Sequence, residues 1–389
     1  MLVFVKNLAV PLLFLAAGIA FFLSLSGRVR YGLLFLVPLF PLVNVMVKLQ
    51  QYPLGKDIND IIIIGMLIGW ILSKGSSKEP LFVKSPFNKL LIVFGLYTLI
   101  GLWRGSAYLG LPAPLSPADP RLQMWKNYMI LPLMFFIAAN NTKDVKEMRR
   151  LFIVMCLSMF IMNYYMVKQI SYATAWVSRG KFVGTFVSLG ANEVAAFYAA
   201  YTFIVMGIFM SVKEKRLRLM LLGLILVNFY CILFLMSRGA YVAVLLGLLL
   251  ISAVRMRILI VPIVCVLLFW QTLLPAKVVE RIKYTQQQEN ELQEVQLDHS
   301  AQQRLDLWEM YLRLYKQNPV FGIGYNVSSN LLAGKDAHNM YVRTLADEGV
   351  VGLALLLSIM LMAFRRGWVL FRKAKDLFLK GLGLGFCAC

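Results

Sequence analysis

The sequence predicts an all-α, polytopic integral membrane helix bundle of about 11–12 spans, with one long external loop that contains an amphipathic helix. Hydrophobic residues make up 60% of the 389 residues and the mean hydropathy is +0.71, which is not the composition of an ordinary soluble protein. Apolar runs of about 16–25 residues recur along the chain, and this length crosses a hydrocarbon core roughly 30 Å thick. Buried strands would be shorter, so we expect helices.

The apolar runs place the predicted spans at 8–25, 31–47, 58–73, 89–103, 122–139, 148–167, 186–210, 218–236, 239–254, 258–274 and 349–364. Pro38 and Pro41 fall inside the second run, so we expect that helix to be kinked or broken, which neighbouring helices tolerate in a membrane. A twelfth run begins near Leu379 and meets the end of the sequence, so we expect its span to continue beyond Cys389.

Positive charge is divided unevenly between the two sides of these spans. The net charge is +21, yet residues 275–348 carry 8 Lys/Arg against 10 Asp/Glu. One alternating set of connections holds 22 Lys/Arg, and the other set, with the N-terminus, holds nine. Basic connections stay in the cytoplasm, so we predict a single transmembrane domain, 1–389, with 275–348 as an external, periplasmic region between spans. The same distribution favours membrane lipid as a partner and argues against nucleic acid.

The cysteines indicate neither a disulfide framework nor a zinc site. All five lie outside the long polar loop, and no CxxC or Cys/His metal spacing is present. The acids of the external loop form no tight metal-ligand cluster either, so we expect no metal and no cofactor.

The external loop contains one helical pattern. Ser300 to Gln303 fits a capping box, in which Ser300 is the N-cap. Apolar residues then repeat at helical spacing, at Leu305, Trp308, Leu312 and Tyr315. Asn318-Pro319 ends the pattern, so we expect an amphipathic helix that packs on the bundle or on the bilayer surface.

His338 lies near the end of this loop, just before the apolar run at 349–364. It is one of two histidines in the chain. A neutral imidazole can accept a hydroxyl proton near neutral pH, so His338 is a candidate general base. The alternative is a hydrogen-bonded loop histidine, which is also how we interpret His299.

The segment around His338 resembles a known family. His338-Asn339, followed after nine residues by Gly349-Val350-Val351-Gly352, is similar to the His-(Asn/Ser/Gln)-x9-Gly-x-x-(Gly/Thr/Tyr) pattern of bacterial O-antigen ligases and the related O-antigen polymerases. Three further segments are similar to family segments and occur in the same order. They are Arg179-Gly180-Lys181 to Asn192, Ser237-Arg238-Gly239-Ala240-Tyr241, and Arg304 to Asn326 with Asn318-Pro319 and Gly322-Ile323-Gly324 inside it.

The resemblance implies a ligase that moves a glycan from undecaprenyl pyrophosphate to an acceptor hydroxyl, with inversion and without metal, at the bacterial inner membrane. It implies that His338 is catalytic. A pyrophosphate leaving group needs its charge stabilised, and a guanidinium can grip phosphate oxygens with two donors. The candidate pyrophosphate-binding residues are Arg238, Arg179 and Arg304, and the secondary candidates are Asn339, Lys181 and Glu193.

Several alternatives stay open at this point. The acceptor is lipid A-core for a ligase, and a second lipid-linked repeat for a surface polysaccharide polymerase. A transporter of lipid-linked sugars or a noncatalytic scaffold would also span the membrane many times. The arginines could be interfacial or solvated charges, and Glu193 could be a structural ion-pair partner. Gly322-Ile323-Gly324 could form a backbone nest for phosphate or a plain turn.

Overall fold

The computed structural model describes residues 2–142, 144–172, 190–283, 288–289, 295–296 and 299–389. Within these residues the regular secondary structure is helical apart from one short antiparallel pair of strands, β1 (Gln288–Glu289) and β2 (Val295–Gln296). The all-α prediction is confirmed. In chain order the helices are α1 (Leu2–Leu25), α2 (Arg30–Leu39), α3 (Val43–Val47), α4 (Ile58–Ser77), α5 (Pro86–Tyr108), α6 (Pro120–Asn141), α7 (Val145–Tyr172), α8 (Ala191–Phe209), α9 (Lys215–Phe234), α10 (Arg238–Val254), α11 (Ile260–Leu268), α12 (Trp270–Leu273), α13 (Ala276–Lys283), α14 (His299–Gln317), α15 (Val327–Leu331), α16 (Met340–Lys373) and α17 (Leu377–Ala388).

The helices have the length and composition of membrane spans. In the part of the chain that the structure describes, six are long and apolar enough to cross a membrane, namely α4, α5, α7, α8, α9 and α16. Shorter apolar helices in the same part include α2, α10 and α17. The protein is therefore a multi-pass membrane protein, as its hydropathy predicts.

Proline and glycine explain where the helices depart from the predicted runs. The second run is broken, because α2 ends one residue after Pro38 and α3 begins only after Pro41. The last complete run is longer than predicted, since α16 begins nine residues earlier than 349. Gly349 has non-helical dihedrals inside α16 (φ 68°, ψ −168°), so α16 consists of two helical segments that meet at a kink there. The predicted start of the span coincides with this kink.

The amphipathic helix of the loop is also present, as α14. It begins at His299, so Ser300 lies inside the helix and not at its N-cap as predicted. It ends at Gln317, directly before Asn318-Pro319, as expected for a residue pair that cannot continue a helix.

The chain divides into two compact units, and the single-domain organisation stays a prediction. The first unit comprises Met1–Val83, Ile137–Ile282 and Arg366–Cys389, and the second comprises Lys84–Phe136 and Lys283–Arg365.

The first unit is packed around α7, α8, α9 and α17. A Cβ on Gly207 of α8 would lie 2.2 Å from the Gly381 carbonyl oxygen and 2.6 Å from the Gly385 nitrogen, both in α17. Small residues allow two membrane helices to approach this closely. Between α7 and α9, the Asn163 side chain donates to Asn228 Oδ1 at 2.7 Å, and both residues are buried.

The second unit contains α5, α14, α15, most of α6 and most of α16. Arg121 fixes the connection between α5 and α6, because its guanidinium donates to both Asp119 oxygens, to Ser106 Oγ and to the Pro112 carbonyl. The hydrogen bond from Arg121 holds the pKa of the Asp119 carboxyl below its ordinary value. This unit also contains His338.

Candidate functional site

The motif around His338 forms the start of α16. The Asn339 side-chain oxygen accepts hydrogen bonds from the backbone nitrogens of Tyr341 (3.0 Å) and Val342 (3.3 Å). These are the bonds of an N-cap, which satisfies donors that a helix leaves open in its first turn. Asn339 therefore fixes where α16 begins.

His338 precedes this cap in a left-handed backbone conformation, with φ 49°. Its backbone nitrogen donates to Asp336 Oδ1 at 3.1 Å, so an aspartate turn holds the residue. The side chain is exposed, and no hydrogen bond to its imidazole is formed within the described residues. The ring is thus accessible to a ligand while its backbone is fixed on both sides.

Helix α14 holds the segment that leads to His338. Trp308 Nε1 donates to the Ala337 carbonyl at 2.8 Å, and the Tyr311 hydroxyl donates to the Lys335 carbonyl at 2.9 Å. Tyr311 and Ala337 are completely buried. Burial raises the pKa of the Tyr311 phenol, which keeps it a neutral donor. Helix α14 therefore packs on the loop that carries His338. Of its predicted apolar positions, Trp308 and Tyr315 face this contact, whereas Leu305 and Leu312 are exposed.

Arg304 is brought to the same region. It is half-buried and lies four residues before Trp308, on the same face of α14. Trp308 is hydrogen-bonded to Ala337, the residue before His338. Arg304 therefore lies about one helical turn, roughly 5 Å along α14, from the hydrogen bond between Trp308 and Ala337. By contrast, Arg313 is exposed and pairs with Glu309 at 2.7 Å, as its i,i+4 spacing predicts.

The segment from Asn318 to Asn326 packs against the break in α16. Ile323 N donates to Ala346 O and Gly324 N to Asp347 O, while Val350 N donates to Pro319 O. These bonds replace helix hydrogen bonds that the break at Gly349 removes. Gly322 N donates to Asn318 O, so the backbone nitrogens of Gly322 to Gly324 are all used inside the protein. The segment is a packed turn and not an open phosphate nest.

Two glycines of the motif are required by close contacts. Gly324 has φ 123°, and a Cβ there would lie 2.2 Å from Gly105 Cα in α5. A Cβ on Gly352 would lie 2.2 Å from Glu348 Cβ. Both distances are shorter than real Cβ contacts, so these positions exclude any side chain.

Two side chains of α16, Arg343 and the buried Asp347, hold the segment from Asn318 to Asn326 and the start of α15. Arg343 donates to Asn326 Oδ1 at 2.5 Å, and its Nε lies 3.7 Å from Asp347 Oδ2. Asp347 is 3% exposed, and its other oxygen accepts from Ser328 N at 2.8 Å. Neither Asp347 nor its neighbour Glu348 was predicted from sequence. Two acids directly before an apolar run are a signal that could have drawn attention to them.

The remaining predicted site residues lie in the first unit or outside the described residues. Arg238 is half-buried and is the first residue of α10, directly after the buried Ser237. Glu193 is exposed in the first turn of α8, where a carboxylate stabilises the helix dipole. Arg179 and Lys181 lie outside the described residues. No group of three or more His, Cys, Asp or Glu side chains placed to hold a metal ion occurs in the described part of the chain.

The family model described as O-antigen ligase matches residues 221–357. This part of the chain is therefore similar to the O-antigen ligase family. A comparison with curated proteins found no match.

The O-antigen ligase match covers the chain from α9 to the first half of α16. It therefore includes Arg238, Arg304 and His338, and it confirms the resemblance seen in the sequence. Members of this superfamily are O-antigen ligases or polymerases, which are glycosyltransferase-type membrane enzymes that act on lipid-linked glycans.

Proposed function

We propose that this O-antigen ligase-type protein transfers a glycan from undecaprenyl pyrophosphate to a hydroxyl of lipid A-core. The observation that carries the proposal is the exposed imidazole of His338 at the capped start of α16. The hydrogen bond from Trp308 to Ala337 holds that start against α14, which carries Arg304. A fixed backbone with an accessible ring is what a general base needs.

The proposed reaction is a direct displacement. His338 accepts the proton of the acceptor hydroxyl as its oxygen attacks the anomeric carbon of the glycan. The bond from that carbon to the pyrophosphate oxygen breaks, and the configuration inverts. Undecaprenyl pyrophosphate leaves with the bonding electrons, and the proton on His338 passes to solvent.

The departing pyrophosphate gains negative charge, which arginine side chains stabilise in place of a metal ion. We assign this role to Arg238, Arg179 and Arg304. Guanidinium groups stay charged at all relevant pH values and bind phosphate oxygens with two parallel donors. The half-buried position of Arg238 at the start of α10 supports this role, since an arginine within or at the edge of an apolar segment is a functional candidate. Asn339, Lys181 and Glu193 keep supporting roles in the proposal.

The charge distribution supports a location in the bacterial inner membrane with the site on the periplasmic face. The short connections rich in Lys and Arg would then face the cytoplasm. Donor and acceptor lipids would meet at the outer leaflet.

The test is glycan transfer by the full chain in detergent or nanodiscs, with a lipid-linked glycan as donor. Replacing His338 with Ala should abolish transfer, while replacing His299, the other histidine, should preserve it. Normal transfer by the His338 variant would contradict the proposal.

Two further variants, both on α14, test whether Arg304 binds the pyrophosphate. Arg304→Lys keeps the charge but loses the two-donor fork, so transfer should fall. Arg313→Lys on the same helix should have little effect, because Arg313 is exposed and paired with Glu309. Equal activity of both variants would argue against Arg304. Surface glycans of a deletion strain would separate ligase from polymerase, since a missing ligase leaves unattached polymer and a missing polymerase leaves single repeats.

A further inference from the structure

A groove lies in the first unit, near the starts of α2 and α7. It contains about 250 Å³ of space, part of which is open to the outside. Its charged lining residues are Arg30, Arg150 and Glu147, and its apolar ones are Leu33, Leu34 and Leu151. The groove therefore offers positive charge and aliphatic surface to one and the same ligand.

The charged side chains give the groove a net charge of +1, since two arginines outnumber one glutamate. Arg30 Nη1 lies 3.6 Å from Glu147 Oε1, which is longer than a hydrogen bond, and Arg30 Nη2 donates to the Tyr31 hydroxyl at 3.3 Å. Arg150 is exposed. A guanidinium has five donors, so both arginines keep donors for an oxyanion.

The groove lies at the level where apolar helices begin. Helix α7 is long and apolar enough to cross a membrane, and α2 is a shorter apolar helix. Arg30 is the first residue of α2, and Arg150 is the sixth residue of α7. Leu34 follows Arg30 by one helical turn, and both Leu34 and Leu151 are half-buried. Arginine at the edge of an apolar helix, with aliphatic side chains beside it, matches the boundary between lipid head groups and acyl chains.

The groove also joins two connections that the charge distribution places on the same side of the membrane. Residues 26–30 and 140–150 both belong to the set of connections that is rich in Lys and Arg. Such connections face the cytoplasmic leaflet, whose anionic lipids attract basic segments, and basic pockets between membrane helices on that side bind anionic head groups.

We propose that this groove binds the phosphate of an anionic membrane phospholipid such as phosphatidylglycerol. Arg30 and Arg150 donate to the phosphate oxygens, and the acyl chains lie on Leu34 and Leu151. The single negative charge of the phosphodiester balances the net charge of the groove, which a zwitterionic head group does not. A soluble phosphate makes no use of the leucines. The site lies in the first unit, and its assignment does not depend on the catalytic role of His338.

The first test is native mass spectrometry of the full chain in detergent. The protein is titrated with phosphatidylglycerol or with phosphatidylethanolamine of the same acyl chains, and the affinity of each lipid is measured. We expect phosphatidylglycerol to bind more tightly, and sn-glycerol 3-phosphate to displace it only at much higher concentration. Equal affinity for the two lipids overturns the anionic assignment. Binding of the glycerol phosphate as tight as that of the lipid overturns the lipid assignment.

The second test assigns the binding to the groove. Arg30→Gln and Arg150→Gln should each weaken binding of phosphatidylglycerol about fivefold, the equivalent of about 1 kcal/mol for one basic side chain at a lipid surface. Arg149→Gln is the matched control, because Arg149 is the neighbour of Arg150 but pairs with Asp376 at 2.7 Å. It should change the affinity little. Equal losses for the variants at 149 and 150 would indicate diffuse attraction to a basic surface and overturn the site.

Glu147→Gln distinguishes the two kinds of head group within the same groove. It removes the one negative charge of the lining, so it should strengthen binding of phosphatidylglycerol. Weaker binding by this variant would mean that Glu147 holds a cationic group of the ligand, and the anionic assignment would then be wrong.

Discussion

Replacing Gly324 with Ala tests how the turn after Asn318-Pro319 is held. A Cβ at 324 would lie 2.2 Å from Gly105 Cα and 2.5 Å from Gly105 N, and these backbone atoms cannot rotate away. A backbone conformation that L residues rarely adopt costs about 1–3 kcal/mol. Overpacking adds about 1–3 kcal/mol. We expect Gly324→Ala to destabilise the protein by about 2–6 kcal/mol.

Gly334→Ala is the matched control for this substitution. Gly334 also has a positive φ, 78°, but a Cβ added there would meet no atom of the described residues within 4 Å. The left-handed conformation alone should then cost about 1–2 kcal/mol. The assay is equilibrium unfolding of the full chain in mixed micelles, followed by tryptophan fluorescence. Equal losses for the two variants would refute the close packing of Gly324 on α5.

Three further substitutions test contacts near the site and in the connection before α6. Asn339→Ala removes the N-cap of α16 and should cost about 0.5–2 kcal/mol by thermal unfolding, while Asn339→Ser should retain most of that stability. Trp308→Phe loses the hydrogen bond to Ala337, worth about 1 kcal/mol, and hydrogen exchange near His338 should speed up; unchanged exchange would contradict the bond. Asp119→Asn should be less stable than wild type at pH 7. The pKa of Asp119 is lower in the folded state than its ordinary value of 3.8, so the stability difference between wild type and Asp119→Asn should disappear as the pH falls below 3.8 and through the folded-state pKa. A stability difference that stays constant down to acid pH would exclude the pairing of Asp119 with Arg121.

The helices could be predicted because the signal for a span is local. A run such as 89–103 is long and apolar enough to cross a membrane whatever surrounds it, and α5 forms there. The end of α14 before Pro319 is local for the same reason. The ion pair between Glu309 and Arg313 also follows from spacing on one helix.

The interior of the candidate site could not be predicted in this way. Asp347 and Glu348 read as the polar end of a loop, yet both are buried. The partners of Asp347 are Ser328 and Arg343, and those contacts exist only once the turn before α15 has folded against α16. Hydropathy contains no information about such contacts between distant segments. The motif glycines were visible in the sequence, but only the approach of Gly324 to α5 shows why a side chain is excluded.

The close packing of α8 on α17 has a consequence for biosynthesis. Gly207 meets Gly381 and Gly385, so α8 finds this neighbour only after the ribosome has made roughly 170 further residues, which takes about 8–34 s at 5–20 residues per second. During that interval the face of α8 that contains Gly207 is exposed to lipid or the insertion machinery. A nascent chain halted before Leu377 would leave that face uncovered, so we expect such chains to be degraded faster than the full-length protein in a pulse-chase experiment.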